Sequence, residues 1–599
     1  MTSQEAINYI ESCTWSTTRL GLGRTKELLE KLGNPQKMLR FIHVAGTNGK
    51  GSACAMTASV LEKAGYRVGL YTSPYICRFN ERMQINGVEI SNDALARYTS
   101  LVQPIADAMD DHPSQFELIT AIGMLYFLEE NCDFVVLEVG LGGELDSTNA
   151  IDCPELALLM NIGLDHTEYL GNSIAEIACA KAGIIKPGCT AVCYRSGADT
   201  EAVFEQVCKE KSAELIKADF DSLRPLAHST YGQSFSWKGN RYELPLLGEH
   251  QQKNAAVVLE GIEVLRQRGF KISDTAIFEG LKSTRWPARF EIICRDPLFI
   301  VDGAHNPQCA EALAQSLEQY FHNEKFVIVC GVLADKDYKH MLSCLLPHAA
   351  EFICITPDSP RALRGSELAE IIASKGAPAT SCDSIQSAVR LALARSQGKP
   401  VLACGSLYMV GDVKKTFPSA IKEHYRKAAL SARRKLSGDL RRDFSLAAAE
   451  KIRESAIYKK ANCVMLYKAT PDELDLSLLE EEDKVFVYPR CTGKGIMCAL
   501  RPADSEAFIL GSYGISEPDP QKSELVSPED IDLVICPCAG FDKAHHRIGM
   551  GKGYYDRFLP SCKNAAFIGA AFESQLVPDF PAEDFDCDLS AIYTEKNIY

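Results

Sequence analysis

One stretch near the amino end constrains the fold more than any other part of the chain. It is the run Ile42-His43-Val44-Ala45-Gly46-Thr47-Asn48-Gly49-Lys50-Gly51-Ser52, in which an apolar β-rich segment leads through a glycine-rich turn into an Ala/Met/Leu-rich segment. Glycines let successive backbone N–H groups point into one concavity, and a helix that starts there adds the positive end of its dipole. The run predicts a strand, a phosphate-binding loop and a helix beginning near Ser52, with Lys50 in reach of the outer phosphates.

The loop departs from the common GxxxxGK[ST] pattern at two positions. Val44 occupies the place of the first glycine, and Gly51 separates Lys50 from Ser52, whose hydroxyl we expect at Mg²⁺ or at a phosphate oxygen. The alternative is a tight strand-to-helix turn that binds nothing. The order of strand, lysine, hydroxyl residue and helix favours a phosphate loop.

Size, charge and cysteine usage narrow the class of protein. At 599 residues the chain is too long for one hydrophobic core, so we expect several domains. Its net charge of −15 argues against a general nucleic-acid-binding protein. The sequence shows no signal-peptide pattern, no apolar run long enough to span a bilayer and no C-x-x-C motif among its 23 cysteines. It therefore predicts a cytoplasmic protein without a membrane segment or a disulfide framework.

Three polar residues stand at or near the ends of apolar runs that we predict to be strands. They are Ser73, Glu138 and His166, and the runs are residues 66–72, 134–143 and 156–162. Ligands bind at the carboxyl ends of the strands in α/β sheets. A carboxylate inside an apolar run, as at Glu138, is either a salt-bridged core residue or a metal ligand. His166 on its own is more often a hydrogen-bonded structural histidine.

These residues belong to a long ordered series of motifs. The others are Thr72-Ser73-Pro74, Glu81-Arg82, Phe116-Glu117, Glu138-Val139-Gly140-Leu141-Gly142-Gly143, Leu145-Asp146-Ser147-Thr148-Asn149, Asp165-His166, Lys181-Ala182-Gly183-Ile184, Asn254-Ala255, Arg285-Trp286-Pro287-Ala288-Arg289, Asp302-Gly303-Ala304-His305-Asn306-Pro307 and Gly405-Ser406-Leu407-Tyr408. Together they resemble the folylpolyglutamate synthase/dihydrofolate synthase family over about residues 1–424.

The resemblance implies an α/β ligase on the plan of the Mur ligases, with a P-loop domain over residues 1–292 and a Rossmann-like domain over residues 293–424. The implied ATP contacts are Gly46, Thr47, Asn48, Gly49, Lys50, Gly51, Ser52, Asn254, Arg289, Asp302 and His305. The implied Mg²⁺ ligands are Ser73, Glu138, His166 and a Lys181 carbamylated by CO₂, and the implied folate contacts are Phe116, Glu117, Leu145, Asp146 and Ser147. Lys50, Lys181 and His305 are the residues to which the resemblance gives catalytic roles.

The implied reaction joins L-glutamate to a folate. ATP converts a folate carboxylate into an acyl phosphate, and the glutamate amine then attacks to form an amide, while Lys50 and Mg²⁺ offset charge on the transferring phosphoryl group. The sequence departs from the family pattern at Tyr75, Ala180 and Ala288, and Glu144 alters the charge expected near the pteridine pocket. A different ligase of the Mur type is the alternative.

The composition changes after Ile421. Residues 422–460 contain twelve Lys and Arg against five Asp and Glu in helix-forming runs, which is either a solvated basic linker or the start of a new unit. Strand-like runs follow at residues 464–467, 485–489 and 533–537. The segment Arg547-Ile548-Gly549-Met550-Gly551-Lys552-Gly553-Tyr554-Tyr555-Asp556-Arg557 alternates glycines with Arg and Lys, a pattern typical of an anion-binding nest.

With Glu473-Leu474-Asp475 and Glu517-Pro518, this segment resembles 5-formyltetrahydrofolate cyclo-ligase over about residues 425–599, a separate three-layer α/β domain. The resemblance implies catalytic roles for Arg547 and Lys552 and a folate contact at Glu473. The implied ATP contacts are Lys427, Arg547, Gly549, Gly551, Lys552, Gly553, Tyr554 and Tyr555, with Tyr554 also at the folate. An Arg expected four residues after Lys427 is replaced by Ser431, unless Arg433 or Arg434 substitutes.

Both resemblances predict the same ligands: folates and ATP, with L-glutamate for the first half and Mg²⁺ as the cofactor. No nucleic acid, membrane or obligatory protein partner is expected. The alternative from another class of function is that one half is a catalytically silent folate-binding module, and the second half is the candidate because its amino-terminal match is weak.

Overall fold

The computed structural model describes residues 1–13, 21–481, 483–511, 514–583 and 585–599. The described chain divides into two compact units, Met1–Ile385 with Gly398–Lys414 and Gln386–Gln397 with Lys415–Tyr599. The expected boundary between residues 424 and 425 lies inside one helix, Leu407–Arg434, whose first residues belong to the first unit and whose remainder belongs to the second.

An eight-stranded sheet carries the phosphate loop. Its strands are β1 (Phe41–Ala45), β2 (Val68–Tyr71), β3 (Met83–Ile85), β4 (Val88–Glu89), β5 (Phe134–Glu138), β6 (Leu156–Leu159), β7 (Thr190–Cys193) and β8 (Glu214–Lys217), in the order β4-β3-β2-β5-β1-β6-β7-β8. The six strands from β2 to β8 in that order are parallel, while β3 and β4 extend the sheet antiparallel. Strand β1 therefore has β5 and β6 as its two neighbours.

Helices cover this sheet, and a small antiparallel sheet follows it. The helices are α1 (Ser3–Ser12), α2 (Gly23–Lys31), α3 (Lys50–Lys63), α4 (Asn92–Asp107), α5 (Gln115–Glu129), α6 (Thr167–Leu170), α7 (Ile174–Ala182), α8 (Ala198–Glu210), α9 (Glu249–Gln267) and α10 (Asp274–Ser283). The small sheet consists of β9 (Arg224–Ser229), β10 (Gly232–Trp237) and β11 (Asn240–Leu244). Most apolar residues of α3 and α9 are buried, so both helices lack a wide polar face.

The predicted strands form, with shorter bounds. The run expected to continue to Gly143 stops at Glu138, and the run expected to continue to Ile162 stops at Leu159. All residues of β1, β5 and β6 are buried, as expected for parallel strands covered on both faces. Helix α3 begins at Lys50, two residues before Ser52.

A six-stranded sheet completes the first unit. Its strands are β12 (Glu291–Arg295), β13 (Leu298–Asp302), β14 (Phe326–Cys330), β15 (Ala349–Cys354), β16 (Ala379–Ser381) and β17 (Val401–Cys404), in the order β12-β13-β17-β14-β15-β16. Only β12 is antiparallel to its neighbour. The helices of this part of the chain are α11 (Pro307–Phe321), α12 (Tyr338–Leu345), α13 (Gly365–Ser374), α14 (Ile385–Ser396) and α15 (Leu407–Arg434).

The second unit is built on a seven-stranded sheet of order β23-β20-β19-β18-β24-β27-β28. The strands of the unit are β18 (Cys463–Met465), β19 (Val485–Gly493), β20 (Ile496–Pro502), β21 (Phe508–Leu510), β22 (Ser516–Pro518), β23 (Ser523–Val526), β24 (Leu533–Pro537), β25 (Gly540–Phe541), β26 (Arg547–Ile548), β27 (Ala566–Ala570) and β28 (Ala591–Tyr593). Its remaining helices are α16 (Gly438–Glu454), α17 (Ala456–Lys460) and α18 (Tyr554–Phe558). The β21–β22 and β25–β26 pairs are separate two-stranded ribbons.

The basic run after Ile421 is part of this unit and not a solvated linker. Tyr425 on α15 and Ala448 and Ile452 on α16 are buried, so these helices contribute to the core. Among the described residues, no helix is long and apolar enough to cross a membrane. Single turns of 3₁₀ helix lie at Pro35–Met38, Phe79–Arg82, Ser147–Ala150, Leu346–His348, Ser477–Glu481, Pro528–Asp530, Leu559–Ser561 and Glu573–Gln575.

Close packing of α10 on α3 holds the helix that follows the phosphate loop. A Cβ at Gly280 would lie 2.5 Å from the Cα of Val60, which is backbone and cannot rotate away. We expect Gly280→Ala to lower the free energy of unfolding of the first unit by about 1–3 kcal/mol, because overpacking outweighs the better helix propensity of Ala. Chemical denaturation measures this change.

Gly23→Ala is the matched control, because Gly23 is also helical and a Cβ there meets no described atom within 4 Å. Gly23→Ala should leave the midpoint of chemical denaturation unchanged or raise it. Equal stability of the two variants would show that α3 and α10 are free to separate.

Candidate active sites

The sheet order brings three predicted segments of the first unit to one edge. The phosphate loop follows β1, Glu138 is the last residue of β5, and the segment that leads to His166 follows β6. Both β5 and β6 pair with β1 in parallel, so these segments leave the sheet at the same end. Ligands bind in such a crevice because the strand order reverses direction on either side of β1.

The phosphate loop is held by the segment after β6. The backbone N–H groups of Thr47 and Asn48 donate to the carbonyl of Asn161 at 2.8 and 3.2 Å, and the Thr47 hydroxyl donates to the Gly163 carbonyl at 3.1 Å. Gly49 caps α3 with a left-handed φ of 88°. The first N–H groups of α3 have no partner within the helix and are the ones that face a bound anion.

Two residues from later in the chain line this loop. A Cβ on Gly49 would lie 2.7 Å from Oδ1 of Asn254, and a Cβ on Gly51 would lie 2.6 Å from the indole of Trp286. The Lys50 ammonium donates to the Thr47 carbonyl at 3.3 Å, so it lies over the loop. The structure thus places Asn254 at the phosphate loop, where the sequence predicts it.

Ser73 and Glu138, two of the predicted metal ligands, are adjacent. The backbone N–H of Ser73 donates to Oε2 of Glu138 at 3.1 Å, and the Arg82 guanidinium donates to the Ser73 hydroxyl at 3.1 Å. Burial raises the pKa of the Glu138 carboxyl, while the charge of Lys50 acts in the opposite direction. A buried carboxylate beside a hydroxyl is a set of hard oxygen donors of the kind that suits Mg²⁺.

Lys181 lies on the other side of the loop. Its ammonium is buried and donates to the Gly46 carbonyl at 2.9 Å. Burial, reinforced by repulsion from Lys50, lowers the pKa of Lys181 to about 7. A lysine with that pKa carries a substantial fraction of neutral amine at neutral pH, which is the form that reacts with CO₂.

His166 and its neighbour Asp165 stand at the end of the β6 segment. His166 precedes α6 with a left-handed φ of 51°, and burial lowers its pKa to about 4 despite the neighbouring carboxylate. Asp165 accepts from the Lys336 ammonium at 2.5 Å and lies 3.8 Å from Nε2 of His305. Burial opposes ionisation of Asp165, but the charges of His166 and Lys336 hold its pKa well below its ordinary range. Among the described residues, no group of three or more His, Cys, Asp or Glu side chains is arranged as a metal site. The predicted metal ligands include only one carboxylate, Glu138, and one imidazole, His166, so they do not form such a group.

The second sheet contributes the residues predicted to contact nucleotide. Asp302 ends β13 and accepts backbone N–H bonds from Phe290 at 2.7 Å and Ala304 at 2.8 Å. Nδ1 of His305 donates to the Gly303 carbonyl at 2.8 Å, so in the neutral ring Nε2 carries the lone pair. Arg289 lies close to this loop, since a Cβ on Gly303 would be 2.6 Å from its Nη1.

Two of the predicted folate contacts are occupied by bonds within the chain. Glu117 is buried, accepts from the Arg24 guanidinium at 3.0 Å and the Ser114 N–H at 2.7 Å, and caps α5. Asp146 is also buried and accepts from the Leu141 N–H at 2.7 Å. Both carboxylates are therefore engaged by donors within the chain.

The other predicted folate contacts lie around the same loop. Leu145 is 46% exposed, whereas Ser147 is buried. The Phe116 ring, on α5, lies against Gly140, where a Cβ would be 2.6 Å from it, and 6.1 Å from the ring of Tyr71. Phe116 therefore packs against the segment that follows β5.

In the second unit the glycine-rich run forms a loop between β26 and α18. Gly553 caps α18 with a left-handed φ of 63°, and Lys552 before it is exposed. Arg557 donates to the Gly495 carbonyl at 2.9 Å and to the Lys552 carbonyl, which braces the loop against the β19–β20 turn. The Tyr554 hydroxyl donates to the Gly493 carbonyl at 3.2 Å.

Arg547 is more deeply placed than the sequence suggests. It is buried, and it donates to Asp556 at 2.7 Å and lies 5.2 Å from the centre of the Tyr555 ring. Its Nε is buried without a hydrogen-bond partner in the described chain. The ion pair and a 3.5 Å bond to the Pro537 carbonyl thus leave Nε of this buried guanidinium unsatisfied.

Helix α15 presents Arg426, not Lys427, to this loop. Nε of Arg426 donates to the Gly549 carbonyl at 2.6 Å, and a Cβ on Gly551 would lie 3.4 Å from its guanidinium. The Lys427 side chain is 76% exposed and pairs with Glu423 at 3.0 Å. A lysine and an arginine four residues apart also occur five residues earlier on this helix, as Lys422 and Arg426.

Lys422 is buried and donates to Glu583 at 2.8 Å and to Asp586. Residues at i and i+4 share one face of a helix, so Lys422 points the same way as Arg426. The i and i+4 spacing is visible in the sequence, but it does not show which lysine of α15 faces the interior.

Arg433 and Arg434 are the two candidates for the arginine that is expected at position 431, and Arg433 is the buried one. Arg433 donates to Asp472 at 3.0 Å, and its Nη1 lies 3.7 Å from Oε1 of Glu473, the predicted folate contact. Ser431 is exposed, and Arg434 is 71% exposed. Of the two candidates, Arg433 is the arginine that reaches the interior.

Known proteins resemble the chain in two separate segments. Residues 44–260 match the family described as Mur ligase middle domain, and residues 288–407 match the Mur ligase, glutamate ligase domain. A dihydrofolate synthase/folylpolyglutamate synthase of Bacillus subtilis is 38% identical, over 69% of this chain and 98% of the relative. The chain belongs to the dihydrofolate synthase/folylpolyglutamate synthase family.

Solved structures support the same assignment for the first unit. Escherichia coli FolC, in complex with DHPP and ADP, is 30% identical over 70% of this chain and 98% of that one, with a TM-score of 0.62. An FPGS–AMPPCP–folate complex is 34% identical over 70% of this chain and all of that one, also with a TM-score of 0.62. Residues 418–595 match the 5-formyltetrahydrofolate cyclo-ligase family, so an ATP-dependent ligase carries a cyclo-ligase domain at its carboxyl end.

Neighbouring residues on α15 provide a matched test of the second site. We expect Arg426→Ala to raise the KM for ATP in ring closure at least tenfold, because Arg426 contacts the glycine-rich loop. Lys427→Ala should change it by less than about twofold, because that side chain faces solvent. Steady-state kinetics on the two variants measures this difference, and the reverse ranking would return the nucleotide contact to Lys427.

Proposed function

We propose that this protein is a bifunctional folate enzyme. Its first unit adds L-glutamate to reduced folates through an acyl phosphate, and its second unit converts 5-formyltetrahydrofolate to 5,10-methenyltetrahydrofolate, each with one ATP. The observation that carries the proposal is the presence of two separate anion-binding loops, one after β1 and one before α18, each in a segment whose relatives are folate ligases.

In the first site, cationic side chains and backbone N–H groups bind ATP and orient it for the reaction. Lys50, Arg289 and the first N–H groups of α3 bind the phosphates of ATP, and the folate carboxylate attacks the γ-phosphorus so that ADP leaves. The glutamate amine then attacks the acyl carbon, phosphate departs, and the amine loses a proton. His305, with Nδ1 committed to the Gly303 carbonyl, presents Nε2 to this region.

Ser73, Glu138, His166 and carbamylated Lys181 would hold Mg²⁺. Bound there, the ion offsets negative charge on the phosphoryl oxygens. The adjacency of Ser73 and Glu138 and the low pKa of Lys181 support this ligand set. Carbamylation replaces a buried ammonium, which Lys50 repels, by a carboxylate that Lys50 attracts.

In the second site the formyl oxygen of 5-formyltetrahydrofolate attacks the γ-phosphorus of ATP, and ADP leaves. N10 then displaces phosphate from the resulting imidate, loses its proton and closes the ring. Arg426, Arg547 and Lys552 bind the phosphates, and Glu473, held by Arg433, meets the folate. The relatives named dihydrofolate synthase extend the proposal for the first site to dihydropteroate as a second acceptor.

We also propose a cytoplasmic location. All 23 cysteines are free thiols, and most are buried, which suits a compartment in which thiols stay reduced.

Two lysines separate the two activities. We expect Lys50→Ala to reduce glutamate addition at least a hundredfold and to leave ring closure unchanged, and Lys552→Ala to do the opposite, because each removes one ammonium from one anion site. Glutamate incorporation and the absorbance of the methenyl product report the two reactions in the same preparation. Equal loss of both activities in either variant contradicts two independent sites, and a wild-type second unit that binds 5-formyltetrahydrofolate without closing it supports the silent module.

Carbamylation of Lys181 has a direct signature. With ¹³C-labelled bicarbonate we expect a carbamate resonance at pH 8 that disappears in Lys181→Ala and weakens as the pH falls below about 7. The sign follows from the pKa of about 7, because the protonated amine that dominates below it cannot react.

Lys186→Ala is the control, since Lys186 is also partly buried with a lowered pKa but donates to the Asn149 carbonyl, away from the phosphate loop. It should keep the resonance. Full ligase activity without bicarbonate and without the resonance would remove Lys181 from the metal site.

A further inference from the structure

The side chain of Asn48 in the phosphate loop makes contacts that a nucleotide ligand would not have. Its Nδ2 donates to Oε1 of Gln308 at 2.8 Å. Its Oδ1 accepts from Nδ2 of Asn306 at 3.0 Å and from the Cys309 thiol at 3.1 Å. Both ends of the amide are therefore used by the first turn of α11, although the sequence predicts Asn48 as an ATP contact.

The direction of every bond in this network is fixed from its two ends. Oδ1 of Asn306 caps α11 by accepting from the Cys309 N–H at 2.9 Å, so Nδ2 of Asn306 must face Asn48. At the other end Nε2 of Gln308 donates to the Ile162 carbonyl at 3.4 Å, so Oε1 must face Asn48. Only a side chain with one acceptor and one donor satisfies both neighbours, and asparagine supplies them.

The network also includes the groups that surround the reaction site. Nδ2 of Asn306 donates to Asp165 at 3.2 Å, and Asp165 pairs with Lys336. Gln308 lies directly against the segment after β6, since a Cβ on Gly163 would be 2.0 Å from its Oε1. His305 and Asp302 lie a few residues before Asn306, so the position of α11 sets the position of both.

We propose that Asn48 is a positioning residue that fixes the start of α11, and with it His305 and Asp302, on the phosphate loop. The proposal rests on the glutamate-ligase function of the first unit. In this proposal the loop backbone and Lys50 bind phosphate, while the Asn48 side chain holds the start of α11 in place against the loop. Loss of the contact should slow the reaction without weakening the binding of nucleotide.

The kinetic test uses the full chain and measures glutamate addition. We expect Asn48→Ala and Gln308→Ala each to lower kcat at least tenfold, with the inhibition constant of ADP in the same assay changed by less than twofold. The double variant should be no more than about twofold below Asn48→Ala, because both changes break the same contact. Gln315→Ala is the control, since Gln315 is an exposed residue of the same helix, and it should retain wild-type kcat.

A second readout does not depend on activity. Hydrogen exchange of peptides covering residues 46–52 should be faster in Gln308→Ala than in wild type and unchanged in Gln315→Ala, because Gln308 acts on the loop from outside it. If Asn48→Ala does not fold, Gln308→Ala alone decides both tests.

The outcomes separate this proposal from the proposed function. A tenfold weaker ADP inhibition in Asn48→Ala, with Gln308→Ala fully active, would make Asn48 a nucleotide ligand and overturn the proposal. Multiplicative losses in the double variant, or unchanged exchange of residues 46–52 in Gln308→Ala, would also overturn it. If the wild-type protein adds no glutamate, the proposed function is refuted. If residues 46–52 nevertheless exchange faster in Gln308→Ala than in wild type, the positioning role of the Asn48–Gln308 contact still holds.

Discussion

The buried charge of Asp165 is the constraint on which the first unit depends. Its side chain is only 7% exposed, and a carboxylate removed from water is tolerated only when hydrogen bonds and an opposite charge offset the lost hydration. Lys336 and Asn306 supply them, and both come from loops that follow strands of the six-stranded sheet. The pairing of this carboxylate, together with the contacts of Asn48, joins the loops that follow strands of the second sheet to the edge of the first.

The same cleft concentrates positive charge. Lys50, Lys181 and Lys336 all act on the titration of His166, and repulsion from Lys50 contributes to the low pKa of Lys181. Such a field binds polyanions and favours any change that turns a cation into an anion. Phosphate binding and the carbamylation that we propose for Lys181 would both relieve this repulsion, so the two proposals have one electrostatic basis.

The two proposed anion sites share one backbone feature at the start of a helix. In each, a glycine with a left-handed φ precedes a helix: Gly49 before α3 in a parallel sheet, and Gly553 before α18 beside a two-stranded ribbon. A residue with a Cβ is strained in this conformation, so glycine is required where the backbone must turn to aim its N–H groups at a ligand. Helix α3 has 14 residues and α18 has five, so we expect the second loop to depend more on side-chain charge from Arg426 and Arg547.

The sequence by itself determined the features that are local. The phosphate loop, the strand that contains Glu138, the strand before Ser73 and the glycine-rich turn follow from backbone propensity and short-range pattern, and the structure contains them with bounds that differ by a few residues. Which side chain of α15 meets the nest was decided only by tertiary packing, because a shift of one residue turns a helical side chain by about 100°. The same holds for Glu117, which caps a helix, and for Asn48, whose partners lie about 260 residues later in the chain. Contacts between distant segments depend on how two sheets pack, and no local pattern encodes that.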